Sequence, residues 1–260
     1  MNAEQILALF DQEQRREVHF SDVRREVTRT VVRQVGLYHP ESAIIYSWLN
    51  PANVEAAIRE EIAYFSGLDH DLEWKVYEHD SPADLKERLL AHGFEAEEPE
   101  ALVVLDVKAA PAALLQPVPH EVQRITNPDH LGEVATMQEE VWQEDFSGLM
   151  ERLANDLRHH PDHLSVYVAY IAGVVASSAW IYFPENSQFA SLWGGSTLPA
   201  YRKRGLYSAL LAARTQEAHQ RGIRYLTVDA SPMSRPILES FGFQWLTTIH
   251  PCKWHAKRSE

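Results

Sequence analysis

Arg202, Lys203, Arg204 and Gly205 set three cations and a glycine side by side, and their flanks give the group a chemical use. Residues 188–197 read Gln-Phe-Ala-Ser-Leu-Trp-Gly-Gly-Ser-Thr, a strand that Pro199 ends. Leu206, Leu210, Leu211, Ala213 and Ala218 then recur at helical spacing. A helix therefore starts directly after the basic turn. Its first amides have no internal acceptors and carry the positive end of the helix dipole, so the turn can cradle phosphate oxygens. Gly194 and Gly195 lack side chains at a point where a strand bulges or lets another backbone approach, which predicts room for a ligand beside it.

The elements downstream extend the pattern. Residues 224–229 form another strand, and Ser231, Pro232, Ser234, Ile237 and Leu238 lead as a short helix into Gly242-Phe243. In this order the chain resembles the GNAT superfamily of N-acetyltransferases. Its hallmark, P-x-x-R-x-x-G-x-G/A at a helix start, stands here as Pro199-Ala200-Tyr201-Arg202-Lys203-Arg204-Gly205-Leu206-Tyr207. Tyr207 departs from the usual Gly or Ala. The resemblance covers roughly residues 122–254.

It implies an α+β fold on a mixed sheet, acetyl-CoA as cosubstrate and an amine as acceptor. The cofactor would lie in the cleft between the strand ending at Thr197 and the strand ending at Asp229, its pantetheine pairing with backbone at Gly195, Ser196 and Thr197. Its pyrophosphate would sit on the turn, with Arg202, Lys203, Arg204, Gly205, Leu206, Tyr207, Ser208 and also Ser231 as cofactor-binding residues. Many GNAT enzymes protonate the departing thiolate with a tyrosine four residues before the glycine of Gly-Phe, and that position here is Leu238. Ser234 or solvent is left for that role. Asp229 shares a strand face with Thr227, where some family members carry a basic carboxylate, and is the candidate general base.

The first half repeats the order of the second. Residues 42–49 and 72–77 read as strands around a helix bearing Val54, Ala57, Ile58, Ile62 and Phe65 that Gly67 ends. Val27 to Gln34 alternates as a single half-buried strand, after charged runs at Arg15-Arg16 and Arg24-Arg25-Glu26. Ser81-Pro82 and Gly93-Phe94 match Ser231-Pro232 and Gly242-Phe243 at an offset of about 150 residues, which an internal duplication explains. The first copy lacks the basic glycine turn, having Leu49-Asn50-Pro51-Ala52-Asn53 instead. The expected organisation is a tandem: a degenerate GNAT-like domain without cofactor over residues 1–110, a Pro-rich linker over 111–120 and a catalytic GNAT domain over 121–260.

Composition sets outer bounds. With 45% hydrophobic and 23% charged residues the chain is an ordinary globular one. A net charge of −13 repels phosphate backbones and anionic membrane surfaces and attracts cationic small molecules, so neither nucleic acid nor membrane is expected as a partner. Cys252, the single cysteine, excludes an internal disulfide framework and fits a reducing compartment. Residues 1–16 are polar rather than signal-like and no apolar run reaches membrane-spanning length, so the expected location is cytoplasmic.

His159, His160 and His163 invite a metal reading, but Pro161 interrupts them and they read as surface histidines at a helix end; no metal is expected. Trp180, Tyr182, Phe189 and Trp193 could line an acceptor pocket, although aromatic residues on strands are first of all core. Two functions from different classes follow: acetyl transfer from acetyl-CoA to an amine, or an acyl-CoA-binding regulatory module that has lost transfer. Oligomeric state and acceptor are left open.

Overall fold

A computed structural model describes residues 1–256, which divide into two compact units. One comprises residues 1–103, 229–239 and 245 onward; the other comprises 104–228 and 240–244. In chain order the elements are α1 (Ala3–Phe10), β1 (Val23–Val27), β2 (Val31–Gly36), β3 (Glu41–Ser47), α2 (Val54–Ser66), β4 (Asp71–Tyr77), α3 (Leu85–Ala91), β5 (Glu95–Ala96), β6 (Glu100–Asp106) and α4 (Ala112–Leu115). There follow β7 (Glu121–Ile125), α5 (Leu131–Trp142), α6 (Ser147–His159), β8 (Leu164–Ile171), β9 (Val174–Tyr182), β10 (Phe189–Thr197), α7 (Leu206–Gln220), β11 (Tyr225–Ala230), α8 (Arg235–Ser240) and β12 (Gln244–Trp254).

In the first unit β1, β2 and β3 pair antiparallel, β3 pairs parallel with β4, and β12 pairs antiparallel with β4 from Ile249↔Tyr77 to Trp254↔Leu72. The core lies between this sheet and α2, whose Val54, Ala57, Ile58 and Phe65 meet Ile44, Leu72, Trp74 and Cys252. Those four helix positions fall at the 3- and 4-residue spacings that put side chains on one face. In the second unit β7 to β10 form an antiparallel run and β10 pairs parallel with β11. α5 and α6 bury Val134, Met137, Leu153 and Leu157 against Val166, Val168 and Trp180. α7 packs Leu206 and Leu210 against Ala169, Ala176 and Ala179, small residues that let it lie close to the sheet.

The sequence repeat is thus a structural one: three antiparallel strands, a helix and a parallel strand occur twice. Each repeat, however, borrows its last strand. β12 ends the second copy in sequence but pairs with β4 of the first, while the end of β6 passes into the second unit, where Val107 N–H donates to Arg224 C=O at 2.9 Å.

Two local expectations change. The single strand expected over residues 27–34 is a hairpin turning at Thr28: the Thr28 hydroxyl oxygen accepts the N–H groups of Thr30 (3.1 Å) and Val31 (3.0 Å), so the chain reverses before β2. Arg15, read as part of a charged run, is buried. It lies 3.7 Å over the Tyr77 ring, donates bidentately to Asp80 at 2.7 and 2.8 Å, and reaches Asp11 and the Ile45 carbonyl. In the Pro-rich stretch, α4 buries Leu114, and Gln216 Nε2 on α7 donates to the carbonyls of Leu114 and Gln116 at 3.1 and 2.7 Å.

Candidate functional site

β10 is bulged. It pairs with β9 from Ser191↔Tyr182 to Trp193↔Trp180, and the ladder resumes at Ser196↔Ser178 with Gly194 and Gly195 inserted between. Its parallel ladder with β11 runs from Phe189↔Tyr225 to Ser191↔Thr227. Beyond Ser191 the ladder partner of β10 among the described residues is β9 alone, leaving one backbone edge of the bulged segment unladdered.

Three residues that no sequence motif pointed to hold this bulge. Buried Gln138 on α5 donates through Nε2 to Ser178 Oγ (2.8 Å) and to the Gly194 carbonyl (2.9 Å). Trp142 Nε1, one turn on, donates to Gln138 Oε1 (3.1 Å) and Ser196 Oγ (2.9 Å). Arg214 on α7 donates to the carbonyls of Leu210, Trp180 and Trp193 at 3.1, 3.1 and 3.4 Å. Burial, opposed by Tyr207 and Tyr167, pulls the Arg214 guanidinium down to about 10. The carbonyls that a regular ladder would satisfy at the bulge are taken up by these side chains instead.

The glycine pair serves a purpose other than the expected one. Gly194 has φ +62°, and a Cβ there would lie 1.8 Å from the Trp180 ring; a Cβ on Gly195 would lie 2.8 Å from the Tyr207 ring. The space over both Cα atoms, where a side chain would stand, is filled by the chain's own aromatic rings. Gly195 accommodates Tyr207, the residue that replaces the small one of the motif.

After β10, residues 199–201 make a single turn, Arg202 Nε donates to the Thr197 carbonyl (3.2 Å), and Arg204 lies 5.4 Å over the Tyr201 ring. Lys203 (φ +61°) and Gly205 (φ +80°) both adopt left-handed backbone, which turns the chain sharply into α7. The 15-residue helix has no side-chain hydrogen bond at its N-cap, and residues 202–205 are exposed. A Cβ on Gly205 would come 3.4 Å from His120 Nε2. The amides of Leu206, Tyr207 and Ser208, three cationic side chains and a left-handed glycine together suit an anion such as a pyrophosphate. Burial raises the Tyr207 phenol above its usual value, with Arg214 opposing.

Asp229 belongs to the first unit, where Lys75 Nζ donates to its Oδ2 at 2.8 Å. Lys75 also lies 3.9 Å from Glu73. Burial lowers the Lys75 ammonium, but Asp229, Glu73 and Glu100 outweigh it and leave it well above its ordinary value. Glu100, at the start of β6, is raised to about 7 by burial, with Lys75 opposing and Asp229, Glu73 and Glu97 adding to the rise. Ser231 and Ser234 bond each other at the start of α8: Ser234 N–H donates to Ser231 Oγ and Ser234 Oγ donates to the Ser231 carbonyl, both at 3.3 Å. Leu238 is buried. Cys252 is buried too, and burial pushes its thiol up to about 11.

His160 and His163 stack with centroids 5.5 Å apart and His163 Nε2 meets Glu185 at 3.1 Å; no group of three or more His, Cys, Asp or Glu among the described residues could hold a metal ion. Among the described residues no helix is long and apolar enough to cross a membrane. Of the four strand aromatics, Trp180 and Phe189 are core and Tyr182 bonds Asp156, whereas Trp193 is 41% exposed.

The architecture is that of GCN5-related N-acetyltransferases. A GCN5-related N-acetyltransferase from Kribbella flavida superposes with a TM-score of 0.67 at 16% identity, covering 96% of this chain and 93% of that one. A functionally unknown conserved protein from Staphylococcus epidermidis gives 0.66 at 11% identity, over 91% and 96% of the two chains. A tandem GNAT protein from the clavulanic acid biosynthesis pathway gives 0.60 at 14%, over 88% and 79%. Residues 127–243, which contain β10, the basic turn and α7, match the model of the acetyltransferase (GNAT) family. No curated protein matches the sequence.

Proposed function

We propose that the protein transfers the acetyl group of acetyl-CoA directly to an amine. The observation that carries this reading is the bulged β10 running through a left-handed Gly205 into the N-terminus of α7, an anion cradle beside a strand edge with no ladder partner among the described residues. Acetyl-CoA supplies the acetyl thioester. The amides of residues 203–208, with Arg202, Lys203 and Arg204, hold its pyrophosphate, backbone at Gly195, Ser196 and Thr197 lies along its pantetheine, and Ser231 adds a hydroxyl contact. Asp229 takes the proton that the amine loses as its nitrogen bonds to the acetyl carbon and the C–S bond breaks, and Ser234 or solvent protonates the leaving thiolate. No acetyl-enzyme forms, since the one thiol, Cys252, is buried with a raised pKa.

In this reading residues 121–260 form the catalytic domain, 111–120 join it to the first copy, and residues 1–110 bind no cofactor. The junction before α2 is closed by its own side chains: Asn50 Oδ1 accepts the N–H groups of Ala52 and Asn53 at 2.9 and 3.2 Å, and Asn53 Oδ1 accepts that of Asn50 at 2.8 Å. The 2.8 Å ion pair of Asp229 with Lys75 favours a second reading, acyl-CoA binding without transfer, because the Lys75 ammonium already occupies the Oδ2 that would take the proton. Release of free CoA, measured with and without a panel of amines, separates the two. Calorimetry of acetyl-CoA tests the cradle: one ligand per chain is expected, and Gly205→Glu should abolish binding by filling the turn with a negative side chain. Unchanged affinity in that variant would remove the site.

A further inference from the structure

Arg214 is a buried cation without a counter-ion. It is 2% exposed, and its guanidinium donates to the carbonyls of Leu210, Trp180 and Trp193. Among the described residues it forms no ion pair, and its Nη2 makes no hydrogen bond. The titratable groups facing it are two phenols, Tyr207 earlier on α7 and Tyr167 on β8. Tyr207 lies against Gly195, and its hydroxyl has no hydrogen-bond partner among the described residues. Glu217, three residues on along α7, turns its carboxylate elsewhere, to Ser165 (2.8 Å), Tyr167 (2.9 Å) and Arg221 (2.7 Å), with Arg124 3.6 Å away.

Holding a bulge does not require a charge. At the next carbonyl along β10, that of Gly194, the neutral amide of Gln138 donates at 2.9 Å. Taking a guanidinium out of water costs far more than taking an amide, and carbonyl dipoles repay less of that cost than a charge of opposite sign would. No side chain among the described residues supplies that charge to Arg214. It appears at the bulge only when acetyl transfer takes place there.

Resting on the acetyl-transfer reading, we propose that Arg214 is a positioning residue whose positive charge, set behind the β10 bulge, stabilises the CoA thiolate as it leaves. When the amine nitrogen bonds to the acetyl carbon, the carbonyl electron pair moves onto oxygen. Its return breaks the C–S bond, and the electron pair of that bond goes to sulfur. One negative charge thus passes from oxygen to sulfur before Ser234 or solvent delivers a proton. Arg214 acts on it through the Trp193 carbonyl and the backbone of the bulge, since a fixed charge in a site that excludes water is felt over several ångströms.

The test needs only the bound product. CoA and desulfo-CoA, which lacks the sulfur and shares every phosphate, are titrated into the protein by calorimetry from about pH 6 to about pH 9. A thiol ordinarily ionises near about 8.5, and lowering it by about one unit on binding is about a tenfold preference for the thiolate. The affinity of CoA relative to desulfo-CoA should therefore rise about five- to tenfold across this range in wild type. Arg214→Lys, which keeps the charge, should retain most of the rise. Arg214→Gln, which keeps donors and loses the charge, should show none. A purely structural role would weaken both ligands alike and leave the rise in place. A flat ratio in wild type, a measurement that needs no variant, would overturn the proposal, as would a full rise in folded Arg214→Gln. Binding of neither ligand would instead remove the acetyl-transfer reading itself.

Discussion

Glu100→Gln is the most informative single change outside the cofactor cradle. In the folded protein burial foremost, then Asp229, Glu73 and Glu97, lift the Glu100 carboxyl from 4.5 to about 7 against the pull of Lys75. The folded state therefore binds this proton more tightly than the unfolded chain does. The resulting stabilisation is complete below the unfolded value of 4.5 and is lost as pH rises towards about 7; above that, ionising a buried carboxyl counts against folding. A rise of about 2.5 units at 1.36 kcal/mol each amounts to about 3 kcal/mol. Glutamine keeps the shape and removes the titration. Urea denaturation of wild type and variant should give similar midpoints near pH 4 and a midpoint higher for the variant by roughly 1 M near pH 8. If both proteins lose stability in parallel between those pH values, Glu100 does not titrate in the field of Lys75 and Asp229 and the reasoning fails. A carboxylate kept where it weakens the fold at neutral pH is the kind of group found at functional sites.

Asp229→Asn should lower kcat about a hundredfold or more and leave acetyl-CoA affinity nearly unchanged, measured by steady-state kinetics beside calorimetry; normal turnover would remove it from the chemistry. Gly194→Ala should lower the thermal midpoint by many degrees, because a Cβ 1.8 Å from the Trp180 ring on a backbone with φ +62° forces the ring and the bulge apart. Arg15→Met should destabilise by about 3–5 kcal/mol in chemical denaturation by stranding Asp80 and Asp11, and a variant as stable as wild type would mean those carboxylates find solvent instead. Cys252→Ala should turn over like wild type, and trapping an acetyl group on that sulfur would refute direct transfer.

The sequence by itself determined what acts over a few residues. Pro199, the basic run and Gly205 marked the turn, since a proline ends a strand and a glycine takes left-handed backbone readily. Helical spacing marked α2 and α7, and repeated Ser-Pro and Gly-Phe pairs marked the duplication. What acts over long separations was decided by the tertiary structure. Backbone hydrogen bonds between strands are the same whatever the side chains, so nothing in the residues of β12 said that it would pair with β4 rather than with a strand of its own copy. The Lys75–Asp229 pair, 154 residues apart, exists only because the fold gathers both into one unit. Arg214 and Gln138 belong to no motif, and they are buried where the β10 bulge leaves carbonyls that need donors. Trp193 followed the opposite course. A tryptophan on a strand is expected in the core, yet its place beside the bulge leaves it 41% exposed, because which face of a strand is covered depends on the helices packed there and not on the strand's own residues.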